Sequence, residues 1–217
     1  LYAVDATSGS EQWRFDTGSR AFSSPTVSDG TVYIGSGDSN LYAVDATSES
    51  EQWRFDTGAE IYSSPTVADG TVYVGNYDEN LYAVDATSGD EQWRFDTGDS
   101  VLSSPTVADG TVYVGSYDEN LYAVDATSGS EQWRFDTGAE IGSSPTVADG
   151  TVYVGSDDSN LYAVDATSGD EQWRFDTGGR VRPSPTVADG TVYVGSGDSN
   201  LYAVNVANSN ASSEGSR

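Results

Sequence analysis

A chain of 217 residues is long enough to bury a sizeable core as one domain or two. Its 35 acidic against 9 basic residues leave a net charge of −26, which repels phosphate backbones and anionic headgroups and sets aside nucleic acid as a partner. Cysteine, histidine and lysine are absent, so there is no disulfide framework, no thiolate metal site and none of the side chains most often tuned for acid–base or nucleophilic work near neutral pH.

The acids recur at fixed places along the chain rather than gathering in a tail. A surface of this kind stays soluble where salt screens self-repulsion, the screening length falling to about 3 Å at molar ionic strength. Together with the absence of lysine this reads as a protein of a halophile, an archaeon. No apolar run approaches the roughly 18 residues that span a bilayer, so membrane insertion is not expected. No signal peptide is visible, but the chain opens inside a repeat and a leader upstream stays open.

Aligned on itself, the chain resolves into units beginning at Leu1, Leu41, Leu81, Leu121 and Leu161, each 40 residues long, with 28 of 40 positions identical in all five. Apolar residues alternate, Val, Tyr, Thr, Phe and Trp dominate, and Gly, Asp, Asn and Ser punctuate the runs, which predicts an all-β fold. In unit two the predicted strands are Ser64 to Ala68, Thr71 to Gly75, Leu81 to Asp85 and Gln92 to Asp96. Asp69-Gly70 suits the positive φ angles of a two-residue type I′ hairpin. Asp78-Glu79-Asn80 reads as an Asx turn, and Gly89 supplies the third sharp turn. The same Asp-x-Asn spacing at Asp38, Asp118, Asp158 and Asp198 lacks the dense ligand series and terminal Glu of a calcium loop, so no metal site is assigned.

A four-stranded antiparallel sheet of this size cannot hide both faces, and radial stacking of copies covers the faces and shields the edges, which predicts a β-propeller over residues 1–206. A 40-residue period also fits WD40 repeats, but their Gly-His signature has no counterpart in a chain without histidine. Each unit carries Ala3, Asp5, Ser8, Gly9 and Trp13 or their copies. This resembles the tryptophan-docking motif of pyrroloquinoline-quinone-like (PQQ-like) repeats, A-x-D-x-x-T-G-x-x-x-W, with Ser for Thr throughout and Glu49 for Gly in unit two. The resemblance implies that Trp13, Trp53, Trp93, Trp133 and Trp173 clasp blade to blade, a sensible use of a large ring with one donor to satisfy. Dehydrogenases of the resemblance class use a larger propeller, bound PQQ, calcium, an acidic catalytic residue and often adjacent cysteines. No cysteine exists here and the recurring acids are symmetric, so the expectation is a cofactor-free protein that is not an enzyme.

Counting strands predicts five blades closed by the N- and C-terminal strands, with Leu1 to Val4 and Leu201 to Val204 competing for one slot. A larger ring, or closure by strand exchange in a homo-oligomer, stays open. Residues 207–217 read as a disordered polar tail. The copies differ most after each Asp-Thr-Gly and at Gly37, Tyr77, Tyr117, Asp157 and Gly197, two spots that a propeller places on one face. Arg20, Phe22, Glu60, Tyr62, Tyr77, Leu102, Tyr117, Asp157, Arg180 and Arg182 are therefore candidate binding residues. Tyr62, Tyr77, Leu102 and Tyr117 form an aromatic-apolar patch and Arg20, Arg180 and Arg182 a separate basic one, although unconstrained loops also drift. The expected function is a protein-interaction or scaffolding module. Cofactor-free relatives act in assembly at membranes and cell surfaces, which by resemblance implies a secreted or surface protein. The alternatives are a lectin-like propeller holding small ligands or glycans, and a fragment of a PQQ-dependent dehydrogenase. Near-identity of the copies fits recent duplication or a consensus design.

Overall fold

The Asp-Gly pairs fold as predicted: Asp69 and Gly70 sit at φ 48° and 76°, and Ala68 faces Thr71 across a two-residue turn. In the computed structural model, which describes residues 1–206, that hairpin opens a four-stranded blade present in four copies. Blade A holds β3 (Thr26–Ser28), β4 (Thr31–Gly35), β5 (Asn40–Asp45) and β6 (Glu51–Asp56). Blade B holds β7 (Thr66–Ala68), β8 (Thr71–Gly75), β9 (Asn80–Asp85) and β10 (Glu91–Asp96), and blade C β11 (Thr106–Ala108), β12 (Thr111–Gly115), β13 (Asn120–Asp125) and β14 (Glu131–Asp136). Blade D holds β15 (Thr146–Ala148), β16 (Thr151–Gly155), β17 (Asn160–Asp165) and β18 (Glu171–Asp176). A two-stranded sheet, β1 (Tyr2–Val4) with β2 (Glu11–Arg14), precedes them. A three-stranded sheet, β19 (Thr186–Ala188), β20 (Thr191–Gly195) and β21 (Leu201–Asn205), follows. Every strand pair is antiparallel.

The predicted closure by terminal strands is not found. β21 repeats the text of β1 and takes the third place beside β20 in the internal register, Thr191 opposite Asn205 and Gly195 opposite Leu201, while β1 pairs with β2. With that place filled, no ladder among the described residues joins the two end sheets, and five closed blades give way to four complete blades between two partial sheets. The inner strand is also shorter than predicted, starting at Thr66, because Pro65 has no N–H to give a ladder. The polar tail expected at 207–217 lies outside the described residues.

Packing follows from the pleat. The two middle strands of each complete blade are buried on both faces, and alternate residues face opposite neighbours. Tyr33, Leu41, Ala43 and Trp53 of blade A meet Val72, Val74, Tyr82 and Val84 of blade B, with Ile61 between them. Gly35 makes room for Ile61: a Cβ added there would come within 2.2 Å of Ile61 Cγ2. Among the described residues no buried side-chain N or O lacks a partner.

Each joint shares an acceptor. Trp53 Nε1 donates to the Ala86 carbonyl at 3.0 Å, and the Tyr33 hydroxyl donates to the same oxygen at 3.1 Å. Trp93 with Tyr73 reaches Ala126 in the same way, Trp133 with Tyr113 reaches Ala166, and Trp13 donates to Ala46. Gly89 serves the clasp twice over. It sits at φ 76°, and a Cβ would lie 2.7 Å from the Trp53 ring. Glu49 stands at the corresponding place in unit two and keeps the turn with φ 56°, its N–H reaching Asp45 O at 3.2 Å against 2.9 Å for Gly89 to Asp85.

Near the inner strands the blades are tied by side chains rather than ladders. Thr66 Oγ1 donates to Pro105 O at 2.6 Å and Ser64 N to Ser104 Oγ at 2.9 Å, and the same pair of bonds recurs from blade to blade.

Two predictions come from these turns. Gly89→Ala and Gly70→Ala both carry the cost of a left-handed residue, about 1 kcal/mol, since each glycine has φ 76°, but only Gly89→Ala must also displace an indole, so it should lower the urea midpoint further. Glu49→Gly should raise that midpoint, by about 1 kcal/mol in stability; equal losses for the two alanine variants would contradict the packing. Second, hydroxyls of Thr47 and Ser48 and their backbone amides hold the Asp45 carboxyl far below the ordinary carboxylate range, and the same turn lowers Asp5, Asp85, Asp125 and Asp165. A depressed folded-state pKa adds stability that is present above the unfolded value near 4 and disappears as pH falls through the folded value. In a carboxyl NMR titration these five aspartates should protonate at lower pH than unfolded-peptide aspartate.

Candidate functional site

The variable loops are built by a fixed frame. After each outer strand an Asx turn stops the ladder, as where Gly58 N donates to Asp56 Oδ1 at 2.9 Å and Thr57 Oγ1 to Ala59 O at 2.9 Å. The chain then drives an apolar residue into the joint. Ile61, Val101, Ile141 and Val181 are fully buried. Ala21 is exposed, because the sheet β1–β2 has no inner strands for it to plug into.

The next residue turns back to the surface, beside the loop between the two middle strands. A backbone bond fixes that proximity in every copy: Gly37 N to Arg20 O, Tyr77 N to Glu60 O, Tyr117 N to Ser100 O, Asp157 N to Glu140 O and Gly197 N to Arg180 O, all between 2.8 and 3.1 Å. The two variable spots therefore lie together on one face.

Their side chains form two groups. Phe22 stacks on Tyr62 with centroids 4.7 Å apart and rings 10° from parallel, and Tyr62 meets Tyr77 edge-on at 5.2 Å. Phe22 and Tyr77 are exposed by 52% and 46%, so the cluster offers aromatic surface to solvent. The Tyr62 hydroxyl donates to Glu60 Oε2 at 2.9 Å, which pushes its pKa up, and the charge of Arg20 opposes that shift. Leu102 is half-buried and enters none of these ring contacts.

The second group is ionic. Arg182 grips Asp157 with Nε at 2.9 Å and Nη2 at 2.6 Å, and Nη2 also lies 3.5 Å from Glu140 Oε2. Arg180 Nη1 lies 3.4 Å from Asp157 Oδ2. Tyr117 is half-buried nearby, within reach of the charges of Arg182, Glu140 and Asp157, and burial raises its pKa first of all. The expected separate basic patch is thereby corrected. Arg180 and Arg182 are spent on acids of the same face, and Arg20 stands with the aromatic group. Glu140 and Gly142 are members that the sequence reading missed. The signal was there: comparing each copy's residue after the plug with the previous copy's loop residue pairs Arg182 with Asp157 and Gly142 with Tyr117.

The Asp-x-Asn turns use their own carboxylates. Asp38 Oδ1 accepts from Asn40 N at 3.1 Å and Oδ2 from the Tyr42 hydroxyl at 2.5 Å; burial, then that acceptor, pushes Tyr42 up to about 12. Among the described residues no three His, Cys, Asp or Glu side chains converge to hold a metal ion.

Comparison with known proteins places this geometry. The family model described as outer membrane protein assembly factor BamB matches residues 1–106 and again 78–216. The crystal structure of BamB from Moraxella catarrhalis is 22% identical and superposes with a TM-score of 0.81, covering 91% of this chain and 65% of that one. The computationally designed Ika8 protein follows at 16% identity and 0.76, covering 83% and 57%. The quinohemoprotein alcohol dehydrogenase ADHIIG from Pseudomonas putida HK5, at 21% and 0.73, is covered over 41% of its length against 89% of this chain. At these identities the likeness shows the fold, and the chain spans 65% of the length of the BamB it resembles. No curated protein sequence matches it. Matched end to end by that family model, the chain belongs to the PQQ-like repeat family of β-propeller proteins.

Proposed function

We propose that this chain is a protein-interaction module without enzymatic activity, and that it meets its partner through the aromatic cluster Phe22, Tyr62 and Tyr77. The observation that carries this reading is the exposure of two stacked or edge-packed rings at positions where otherwise identical copies diverge. Exposed aromatics anchor interfaces because they bury much area at small cost in side-chain entropy. The family model's description as an assembly factor supports a scaffolding role, at a membrane or cell surface. The likeness to alcohol dehydrogenases supports no such chemistry here, since the described residues offer no metal-holding cluster and the chain has no histidine, cysteine or lysine.

The net charge of −26 suits a saline setting. The melting temperature should rise steadily from 0.1 M to about 3 M salt as repulsion among the acids is screened, and a flat or falling curve would remove the halophilic reading.

Phe22→Ser with Tyr77→Ser should abolish, in crosslinking pull-downs from the source cells, the band that the native chain captures, and leave its melting temperature within about 2 °C, as substitutions on an exposed surface do. Retention of that band by the double variant would reject the aromatic cluster as the contact.

A further inference from the structure

The core of one joint recurs at the next but one. Tyr33, Leu41, Ala43, Trp53, Ile61, Val72, Val74, Tyr82 and Val84 recur, type for type, as Tyr113, Leu121, Ala123, Trp133, Ile141, Val152, Val154, Tyr162 and Val164. The joints between differ from these at the plug, Val101 and Val181 for Ile61 and Ile141, so the buried cores tell neighbouring joints apart by one methylene and alternate joints not at all. Chains of near-identical units are prone to misassembly for that reason, and specificity then requires contacts that only the right pair satisfies.

The varying face supplies such contacts. Arg182, on the approach to β19, reaches back across the joint to Asp157 of blade D, and Gly142, on the approach to β15, lies against Tyr117 of blade C. The Asp157 side chain is only 8% exposed, so loss of the two-pronged Arg182 leaves a carboxylate withdrawn from water with only the longer contact to Arg180 at 3.4 Å. The residues that other copies place at the position of Arg182 are Phe22, Tyr62, Leu102 and Gly142, and none carries a charge. At the joint before, a bare Cβ on Gly142 would lie in ordinary contact with the Tyr117 ring at 3.6 Å, so that pair is set apart by carrying no charge: an Arg placed there meets a ring and not a carboxylate.

We propose that these are matched keys: Arg182 with Asp157 and Glu140, and Gly142 with Tyr117, specify which copy closes which joint and reject the out-of-order pairings that the shared core would accept. The keys occupy the same face as the aromatic cluster but not its side chains.

The test exchanges keys between joints and reads native-state hydrogen exchange at two cross-joint amides, Ile141 N bonded to Ser116 O and Val181 N bonded to Ser156 O. A half exchange, Gly142→Arg with Arg182→Gly, should speed exchange at both amides about tenfold, because each joint then holds an unmatched pair. The full exchange, adding Tyr117→Asp and Asp157→Tyr, should return both to within about threefold of the native rate. Val101 N, bonded to Asn76 O at an untouched joint, reports global unfolding. Should the half exchange fail to fold, Arg182→Gln alone, which keeps length but removes the cation, should speed exchange at Val181 and not at Ile141. Native rates in the half exchange or in Arg182→Gln, or no recovery in the full exchange, would overturn the proposal.

Discussion

One carbonyl per joint organises this molecule. Ala86 O, Ala126 O and Ala166 O each accept both an indole N–H and a phenol O–H from the preceding blade. Trp and Tyr bring large apolar area to the joint, and the shared acceptor removes the penalty of burying their polar ends. Everything else about the joint is arranged around that contact. At Gly89, Gly129 and Gly169 the turn beneath the indole has no room for a Cβ, and the plug at Ile61 fills the space that Gly35 leaves.

Much of this was legible from residue types alone. Asp69-Gly70 specifies a turn because both residues must take positive φ, and the structure has them there. Trp53 at fixed spacing in a repeated unit reads as a joint residue, since a repeated ring with a donor needs a repeated acceptor. Closure was not legible. The texts of Leu1 to Val4 and Leu201 to Val204 are identical, so a period of 40 cannot say which one fills a slot, and the answer depends on the register of β21 on β20.

The candidate site was half legible for a related reason. Variation among copies locates a face, but it does not reveal whether a side chain there looks outward or sideways. Phe22 and Tyr77 look outward. Arg182, the same kind of residue by variability, looks sideways to Asp157, and only the coordinates separate the two. Read singly, Asp157 is one acid among 35; read against Arg182, it is a partner.

The Thr66 to Pro105 and Ser64 to Ser104 bonds carry a mechanical implication. Backbone ladders run within blades and not between them, so neighbouring blades are held by these side-chain contacts, by a single backbone bond such as Ile141 N to Ser116 O, and by the buried core of the joint. The ladder stiffens each blade, and the packing of the joint, the plug at Ile61 included, sets the angle between one blade and the next. The angle between neighbours is thus a property of the joint and not of the sheet, so a change of plug would alter it with the strands of every blade left as they are.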